Sequence, residues 1–259
     1  MFRRAALLAS LCLSLPVFAA GPTPPDAPQQ PHEMTIHGDT RIDEYFWMRD
    51  REDPALLEYL EAENAYADAV TAPLADLRER LYNEFLSRIK QTDESAPAKD
   101  GDWWYYTRTV EGLDYPLFCR RKGSPTAPEE VYLDVNKLAE GKDYLQLTGL
   151  DISPDGKMLA YLTDESGYES CTMHFRDLTT GKDLEETLTD VAPFSVAWGA
   201  GEPVVYYTRV DDTKRSNRVM RYRVGDPERR ETQVFLEDDV RFNVGVDRTR
   251  SADFILIAT

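Results

Sequence analysis

Cysteine and histidine are scarce in this sequence, with three of each among 259 residues. Such low numbers exclude a disulfide-dense scaffold and leave few ligands for a transition-metal site. His32 and His37 lie five residues apart and could share a metal, but no cysteine or acidic cluster completes the set. His174 alternates within a predicted strand, where a packed or surface imidazole is favoured over a catalytic one. The sequence therefore assigns no catalytic, cofactor-binding or metal-ligating residue.

Two cysteines remain outside the N-terminal apolar segment, Cys119 and Cys171, and both stand among predicted strand residues. An oxidising compartment would permit a disulfide between them. An isolated strand cysteine, however, is commonly a small buried hydrophobe. Two buried thiols are the favoured interpretation, and a Cys119–Cys171 disulfide is the alternative.

Positive charge is also in short supply, because 30 Lys and Arg residues stand against 47 Asp and Glu residues, for a formal net charge of −17. Nucleic acids and anionic membranes would be repelled by such a chain, so neither is expected as a partner. Cationic ligands are compatible with this charge, although an acidic surface is more often simply solvated.

Long hydrophobic runs are missing except at the N-terminus. Two arginines there precede an apolar segment at 5–15, and small residues around Ala19 supply a cleavage site. This pattern is typical of a secretory signal peptide, residues 1–19, and is too short for a membrane span. Residues 20–40 are rich in proline and are predicted to be an extended linker. The mature protein is therefore expected to be periplasmic or secreted, with no membrane partner after signal cleavage.

Residues 41–95 are predicted to form a helical arm. Asp53 and Pro54 indicate a helix N-cap followed by proline at the first helical position. Apolar residues then recur at spacings of three and four on either side of a break at Pro73, which predicts two amphipathic helices. These helices carry more apolar surface than they can bury on each other, so we expect them to dock on a further surface.

From residue 96 onward the hydrophobic period changes to two, which is typical of strands. The clearest unit begins at Asp151, where the turn SPDG at 153–156 leads into an apolar strand, a polar turn and a second strand. Strong strands of this kind recur 55, 46 and 50 residues apart, around Tyr105, Ala160, Tyr206 and Leu256.

A strand-rich repeat of about fifty residues is typical of β-propeller blades. The chain is therefore predicted to be mainly β, with residues 96–259 forming the N-terminal part of a propeller of about three and a half blades. A single sandwich is the alternative, but sandwiches seldom restart the same elements at a fixed interval. The last strand, at 255–259, has no closing turn or partner strand. We expect the chain to be the front part of a longer polypeptide.

Six segments in this order resemble the prolyl oligopeptidase family of serine peptidases, and within it the oligopeptidase B branch. They are DEYFWMRD (43–50), YLEAEN (59–64), RIKQTD (88–93), WYYTR (104–108), GLDYPLFCRR (112–121) and SPDG (153–156). The resemblance implies a seven-bladed propeller that caps an α/β-hydrolase domain, with the helical arm packed on that domain. It also implies cleavage of short peptides after Arg or Lys.

The catalytic serine, acid and histidine of that family lie in the C-terminal hydrolase domain. This sequence has no Gly-x-Ser-x-Gly nucleophile elbow, which that chemistry would require between a strand and a helix. The resemblance therefore transfers no catalytic residue to any position here. It predicts a segment that gates access, is inactive by itself, and has short peptides and the C-terminal α/β-hydrolase domain as its partners. The alternative function is a non-enzymatic periplasmic propeller that binds proteins, although a free-standing propeller offers no surface for the helical arm.

Two further features could serve a ligand. The acidic turns at 211–212 and 237–239 could line the mouth of a propeller channel and attract basic peptides, with ordinary solvated loops as the favoured interpretation. The aromatic run at 103–106 could be a ligand platform, but alternation in a strand favours packing on two faces.

Overall fold

The computed structural model describes residues 21–259, so the predicted signal peptide at 1–19 lies outside the described residues. The described part of the chain divides into two units, residues 21–89 and 90–259. Within the described part, no helix is both long and apolar enough to cross a lipid bilayer.

The first unit contains a β-hairpin followed by helices. Its elements are β1 (His32–Ile36), β2 (Asp39–Asp43), a 3-10 helix (Phe46–Arg49), α1 (Pro54–Thr71), a 3-10 turn (Ala72–Leu74) and α2 (Ala75–Arg88). The start of α1 is as predicted, because the Asp53 carboxylate accepts a hydrogen bond from the Ala55 amide at 2.9 Å and Pro54 follows the cap. The hairpin is a finding that sequence reasoning missed. It lies at the end of the segment interpreted as a linker, 20–40, and continues to Asp43.

The helices of this unit expose their apolar faces. Leu56 is the single buried hydrophobic side chain among residues 21–89. The large apolar side chains that remain exposed on α1, α2 and their flanks are Leu57, Leu60, Val70, Leu74, Leu77, Leu81, Tyr82, Phe85 and Ile89. An apolar stripe of this length is typical of a docking surface, and docking of the helices on a further surface stays a prediction.

The second unit consists of antiparallel sheets arranged as propeller blades, which confirms the predicted fold class. The first blade contains β3 (Asp93–Glu94), β4 (Ala98–Asp100), β5 (Trp103–Thr109), β6 (Leu117–Lys122) and β7 (Glu129–Asp134). Both β3 and β4 pair with β5. A short helix, α3 (Val135–Ala139), leads to the next blade.

The second and third blades are joined in one seven-stranded sheet. Its strands are β8 (Gln146–Ile152), β9 (Met158–Asp164), β10 (Cys171–Asp177), β11 (Lys182–Trp198), β12 (Val204–Val210), β13 (Ser216–Arg223) and β14 (Glu231–Leu236). The first half of β11 pairs with β10 and the second half with β12, so this strand belongs to both blades. The sequence did not predict β8 or the first half of β11. The former contains glycine and aspartate, and the latter is largely charged and exposed, so neither resembles a typical strand.

The fourth blade is represented by the hairpin β15 (Gly245–Arg248) and β16 (Ile255–Ala258). The turns that join the first two strands of the second, third and fourth blades share one geometry, in which a backbone amide donates to the carbonyl five residues later. These bonds run from Ser153 to Met158 at 2.8 Å, from Gly199 to Val204 at 2.7 Å and from Thr249 to Phe254 at 3.0 Å. The equivalent turns start 46 and 50 residues apart, which are the spacings that the sequence predicts.

Apolar cores lie between successive blades. Between the second and third blades the core includes Phe175, Trp198 and Tyr207, all fully buried. Leu133 and Leu159 belong to the corresponding core between the first and second blades. Burial on both faces of the sheet explains why β9 of the second blade reads as a nearly continuous apolar run.

Candidate functional site

A tyrosine, a carboxylate and an arginine meet at an equivalent place in the first three blades. In the third blade, the Tyr207 hydroxyl donates to the Glu231 carboxylate, which also accepts a hydrogen bond from Arg209 Nη2 at 2.6 Å. Burial, and after it Glu231, raise the pKa of the Tyr207 hydroxyl above its ordinary value. The hydroxyl therefore stays protonated and acts as a donor.

The first blade contains the same cluster. Tyr106 Oη donates to Glu129 Oε2 at 2.5 Å, and Arg108 Nη2 donates to Glu129 Oε1 at 2.9 Å. The Arg108 guanidinium holds the pKa of Glu129 below its ordinary value. In both blades the tyrosine and arginine come from one repeated sequence, YYTR at 105–108 and at 206–209.

The second blade builds this cluster with an arginine from a different strand. Tyr161 occupies the tyrosine position, but Thr163 stands two residues later where the other blades have arginine. Arg176 on β10 supplies the guanidinium instead, with Nε and Nη2 bound to the two oxygens of Asp183 at 2.7 and 2.8 Å. Arg176 Nη1 also donates to the carbonyl of Tyr132 at 3.1 Å.

These clusters have the chemistry of structural networks. Their carboxylates are paired with arginines, and burial raises the pKa of the tyrosines in all three blades, Tyr106, Tyr161 and Tyr207. A satisfied network of this kind rigidifies a core. It offers neither an activated nucleophile nor a free base.

Asp151, at the end of β8, joins the inner strands of three blades. Its carboxylate accepts hydrogen bonds from the Trp198 backbone amide at 2.8 Å and from Arg248 Nη2 at 3.3 Å, while the Trp198 indole donates to the Asp151 carbonyl at 2.9 Å. These contacts set the first strands of the second, third and fourth blades side by side, at the propeller axis. Burial raises the pKa of Asp151. Sequence reasoning missed this link because the partners lie 47 and 97 residues away.

Clefts open between successive blades near these turns. Their volumes are about 280 Å³ between the first and second blades, 320 Å³ between the second and third, and 460 Å³ between the third and fourth. Ser153 lines the first two, but its hydroxyl donates to Asp155 at 2.7 Å and accepts from the Met158 amide at 2.9 Å. None of the residues lining the three clefts, all within 21–259, is a histidine or a cysteine. The clefts therefore contain no serine–histidine pair of the kind that nucleophilic catalysis requires.

The aromatic run at 103–106 packs blades together. The Arg120 guanidinium lies 3.8 Å from the centre of the Trp103 ring and donates to the Gly156 carbonyl at 2.8 Å. A Cβ on Gly156 would lie 3.1 Å from Trp103 Nε1, and φ there is +70°. The tight approach and the left-handed backbone explain why the SPDG turn ends in glycine. Packing on two faces, rather than a free ligand platform, is what the structure shows.

The two acidic turns meet at one arginine. The Thr213 hydroxyl donates to Asp211 at 2.7 Å and Arg215 Nε donates to it at 3.0 Å. These bonds, that from Thr213 foremost, lower the pKa of Asp211 to about 2. Arg215 Nη1 also donates to the carbonyl of Asp239 in the second turn, at 3.0 Å. The turns are thus organised by internal contacts, and attraction of basic peptides to their exposed carboxylates stays a prediction.

His32 and His174 lie in different units of the chain. His32 stacks on Phe46 with ring centroids 3.8 Å apart, and His174 Nε2 lies 3.0 Å from the Thr163 hydroxyl oxygen. Burial lowers the pKa of His174, in agreement with a packed imidazole. In the part of the chain that the structure describes, no group of three His, Cys, Asp or Glu side chains could hold a metal ion.

Both cysteines of the described chain are buried free thiols, which agrees with the favoured interpretation. Burial raises the pKa of Cys119 to about 11 and also raises the pKa of Cys171. Because the thiolate is the reactive form, neither cysteine is suited to nucleophilic chemistry.

Comparison with known proteins agrees with this architecture. Residues 25–259 match the sequence model of a family described as prolyl oligopeptidase, N-terminal beta-propeller domain. The chain is 40% identical to a dipeptidyl aminopeptidase BI from Pseudoxanthomonas mexicana, over 97% of this chain and 38% of that protein. It is 32% identical to Protease 2 of Moraxella lacunata, over 90% of this chain and 35% of that protein.

Solved structures show the same similarity. Oligopeptidase B from Leishmania major aligns with a TM-score of 0.83 and 30% identity, over 92% of this chain and 36% of that one. Oligopeptidase B from Trypanosoma brucei, in a closed form with covalently bound antipain, aligns with a TM-score of 0.80 and 32% identity, over 92% and 35%. The chain thus spans little more than a third of the length of these relatives.

Proposed function

Since the chain belongs to the prolyl oligopeptidase family, as its N-terminal β-propeller region, we propose that it is the non-catalytic front part of a serine peptidase that hydrolyses short peptides. The observation that carries this proposal is the match over residues 25–259, which covers the propeller strands and the helical arm together. The absence of a Gly-x-Ser-x-Gly run from the sequence supports a role in gating rather than chemistry.

The exposed apolar surface of the helical arm is an argument for a second domain in the whole enzyme. The exposed stripe on α1 and α2, from Leu57 to Ile89, is apolar enough to bind a hydrophobic surface. We propose that it docks on a C-terminal α/β-hydrolase domain, which supplies the serine, acid and histidine. The propeller then limits access to that serine to short peptides.

The cleavage specificity is proposed from the relatives of this chain. The resemblance to the oligopeptidase B branch implies cleavage after Arg or Lys, and two oligopeptidase B structures align with this chain at 30% and 32% identity. The dipeptidyl aminopeptidase, at 40% identity, favours a second candidate in which dipeptides are removed from a free N-terminus. An acidic chain with a net charge of −17 would attract basic peptides in either case.

Hydrolysis of diarginyl p-nitroanilide, with its N-terminus free or blocked, tests the proposal and separates the two candidates. We expect the complete polypeptide that carries these residues to release nitroaniline and to lose activity on treatment with a serine-directed fluorophosphonate. The 259-residue chain alone should release none. Turnover of the blocked substrate indicates an endopeptidase, and turnover of the free substrate alone indicates a dipeptidyl aminopeptidase. Activity of the short chain, or inactivity of the complete polypeptide, contradicts the proposal and in the second case favours a binding propeller.

Export is proposed from the pattern of residues 1–19, with a periplasmic or secreted mature protein. N-terminal sequencing of the protein from separated cell fractions tests it. We expect the extracytoplasmic protein to begin at residue 20 or 21, and an intact Met1 in the cytoplasmic fraction would count against export.

A further inference from the structure

One arginine of the first blade bridges to the second blade. Arg120 on β6 is only 3% exposed, and its Nη1 and Nη2 donate to the carbonyls of Gly156 and Leu178 in the second blade, at 2.8 and 3.3 Å. Gly156 lies in the turn between β8 and β9, and Leu178 directly follows β10. The planar guanidinium therefore holds two turns of the neighbouring blade at once.

Arg221 on β13 occupies the same position in the third blade. Its partner across the strand pair is Tyr206, just as Tyr105 is the partner of Arg120. The two tyrosines begin the repeated YYTR segments, so the positions are equivalent. The Arg221 side chain, however, is 40% exposed. Among the described residues its guanidinium makes one ion pair, with Glu202 at 4.0 Å, which is too long for a hydrogen bond. Arg221 thus has the position of a bridging arginine without its close contacts.

One of the two acceptor carbonyls has a counterpart in the fourth blade. Gly156 is the third residue after Ser153, and Ala252 is the third residue after Thr249, where the equivalent turn starts. In each turn this residue donates its amide to the carbonyl three residues earlier, at 2.7 Å in the second blade and 2.8 Å in the fourth. Both residues have positive φ, +70° at Gly156 and +62° at Ala252. The Ala252 carbonyl is therefore the counterpart of the carbonyl to which the arginine of the first blade donates.

The second acceptor follows the third strand of a blade. In the second blade, Leu178 comes after that strand and donates its amide to the Lys157 carbonyl at 2.7 Å. In the third blade, Val224 does the same to the Pro203 carbonyl at 2.8 Å. The carbonyl at this place in the fourth blade is that of Asp253. The described chain contributes β15 and β16 to the fourth blade, so a third strand would have to supply the amide and the second acceptor carbonyl.

The free edge of the fourth blade is apolar and exposed. Ile257 on β16 is 39% exposed, whereas its counterparts in the second and third blades, Tyr161 and Tyr207, are 2% and 0% exposed. Phe254 is 67% exposed and lines the cleft of about 460 Å³ between the third and fourth blades, together with Ile257 and Arg221. An exposed apolar strand edge is a template for pairing with another strand.

We propose that this open edge, defined by Arg221, Phe254 and Ile257, binds the third strand of the fourth blade, supplied by residues that follow Thr259 in the complete polypeptide. Arg221 then donates to the Ala252 carbonyl and to the carbonyl of the residue after that strand. This inference rests on the part of the proposed function that places the chain in a longer peptidase. The relatives, of which the chain spans little more than a third, are long enough to supply the strand.

A strand from the same polypeptide is favoured over a strand from a second copy. In the second and third blades the third strand follows the second after turns of six and five residues, 165–170 and 211–215. A turn of that length brings the next strand to the open edge at a high effective concentration. A second copy would have to bind from solution and would lose translational and rotational freedom.

Arginine modification by phenylglyoxal, measured by mass spectrometry on the folded complete polypeptide, tests this inference. Arg221 should react about 10-fold more slowly than Arg223, and as slowly as Arg120, because its hydrogen bonds hold it out of water. Arg223 is the internal control, since its side chain is 48% exposed and its counterpart in the first blade, Lys122, stays exposed beside the second blade. Equal rates for Arg221 and Arg223 would overturn the inference. Protection of Arg221 that is lost on dilution would also overturn it, because a second copy would then be the occupant.

Variants of the complete polypeptide provide a second measurement. Arg221→Met should accelerate hydrogen exchange of the backbone amides of the fourth blade about 10-fold, whereas Arg223→Met should leave it unchanged. Arg221→Lys should protect these amides only in part, because an ammonium group lacks the planar fork that reaches two carbonyls. The same exchange rates in both methionine variants would contradict the inference. If Arg221→Met does not fold, the modification rates of the unsubstituted polypeptide decide. Protection of Arg221 in a polypeptide that hydrolyses no peptide would support this inference and refute the proposed function.

Discussion

The second and third blades have the same arrangement of strands, but different residues stabilise it in each blade. Their tyrosines, Tyr161 and Tyr207, occupy equivalent places beside a carboxylate, yet the arginine comes from β10 in one blade and from β12 in the other. Where the second blade ends its inner strand with a partly buried Ile152, the third has a fully buried Trp198. The comparison shows that the blade architecture fixes where a charged or a large side chain is needed. The strand that carries the arginine, and the residue that fills the apolar position, can change.

The largest expected difference between the blades lies at the ends of their inner strands. Trp198→Ala should destabilise the protein by about 3–5 kcal/mol, because it leaves a cavity and removes the indole that donates to the Asp151 carbonyl. Ile152→Ala should cost about 1–2 kcal/mol, since that side chain is only partly buried. Urea denaturation of the purified variants measures both, and equal losses would show that the two positions are equivalent in packing after all.

The polar clusters of the two blades should contribute similar amounts to the free energy of unfolding. Glu231→Gln and Asp183→Asn each leave a half-buried arginine without its charged partner, so each should cost about 1–3 kcal/mol. Glu228→Gln is the control, because its ion pair with Arg230 is exposed and should be worth less than about 1 kcal/mol. Denaturant midpoints of the variants measure these losses of stability. If only one of the two substitutions destabilised the protein, the cluster would have a different role in the blade where the arginine comes from another strand.

A smaller difference in stability is expected between glycine substitutions in the turns of the two blades. Gly156 in the second blade and Gly201 in the third both have positive φ, +70° and +77°, but only at Gly156 would a Cβ meet a neighbour, the Trp103 ring. Alanine at either position should cost about 1–2 kcal/mol for the left-handed backbone. Gly156→Ala should cost more by about 1 kcal/mol, as crowding is added. Thermal denaturation compares the pair, and a larger loss at Gly201 would contradict the proposed packing of this turn on Trp103.

The smallest effect concerns pH. The folded-state pKa of Asp211 is lowered to about 2, against an ordinary value of 3.8. Its contribution to stability is therefore complete above the ordinary value and is lost as pH falls toward about 2. Carboxyl-carbon NMR should show Asp211 titrating well below the ordinary value of 3.8, and Asp211→Asn should abolish local loosening of the turn in acid. Titration of Asp211 at the ordinary value would mean that the bonds from Thr213 and Arg215 do not form in solution.

Much of the fold follows from local patterns. The N-cap of α1, the two amphipathic helices and the apolar strands of three blades were predicted from spacing and turn residues, since these signals depend on near neighbours in the chain. Prediction failed for β8 and for the first half of β11. Their residues are poor strand formers, and only pairing with adjacent strands makes them extended.

The candidate site was far less accessible to sequence reasoning. The repeated YYTR segments were visible, but their carboxylate partners lie 21 to 24 residues away on other strands. The bulge between Val191 and Val196 of β11 gave no local sign either, because it is a shift in the pairing with a separate strand, β12.

The amino-acid sequence alone determined the repeat of about fifty residues, the two helices with their apolar stripes, and the lack of a nucleophile elbow. These properties are periodicities or short motifs, which backbone geometry converts directly into local structure. Tertiary structure alone decided which acids are paired and which strands meet at the axis. Those outcomes depend on residues tens of positions apart being brought within hydrogen-bonding distance by the packing of one blade on the next.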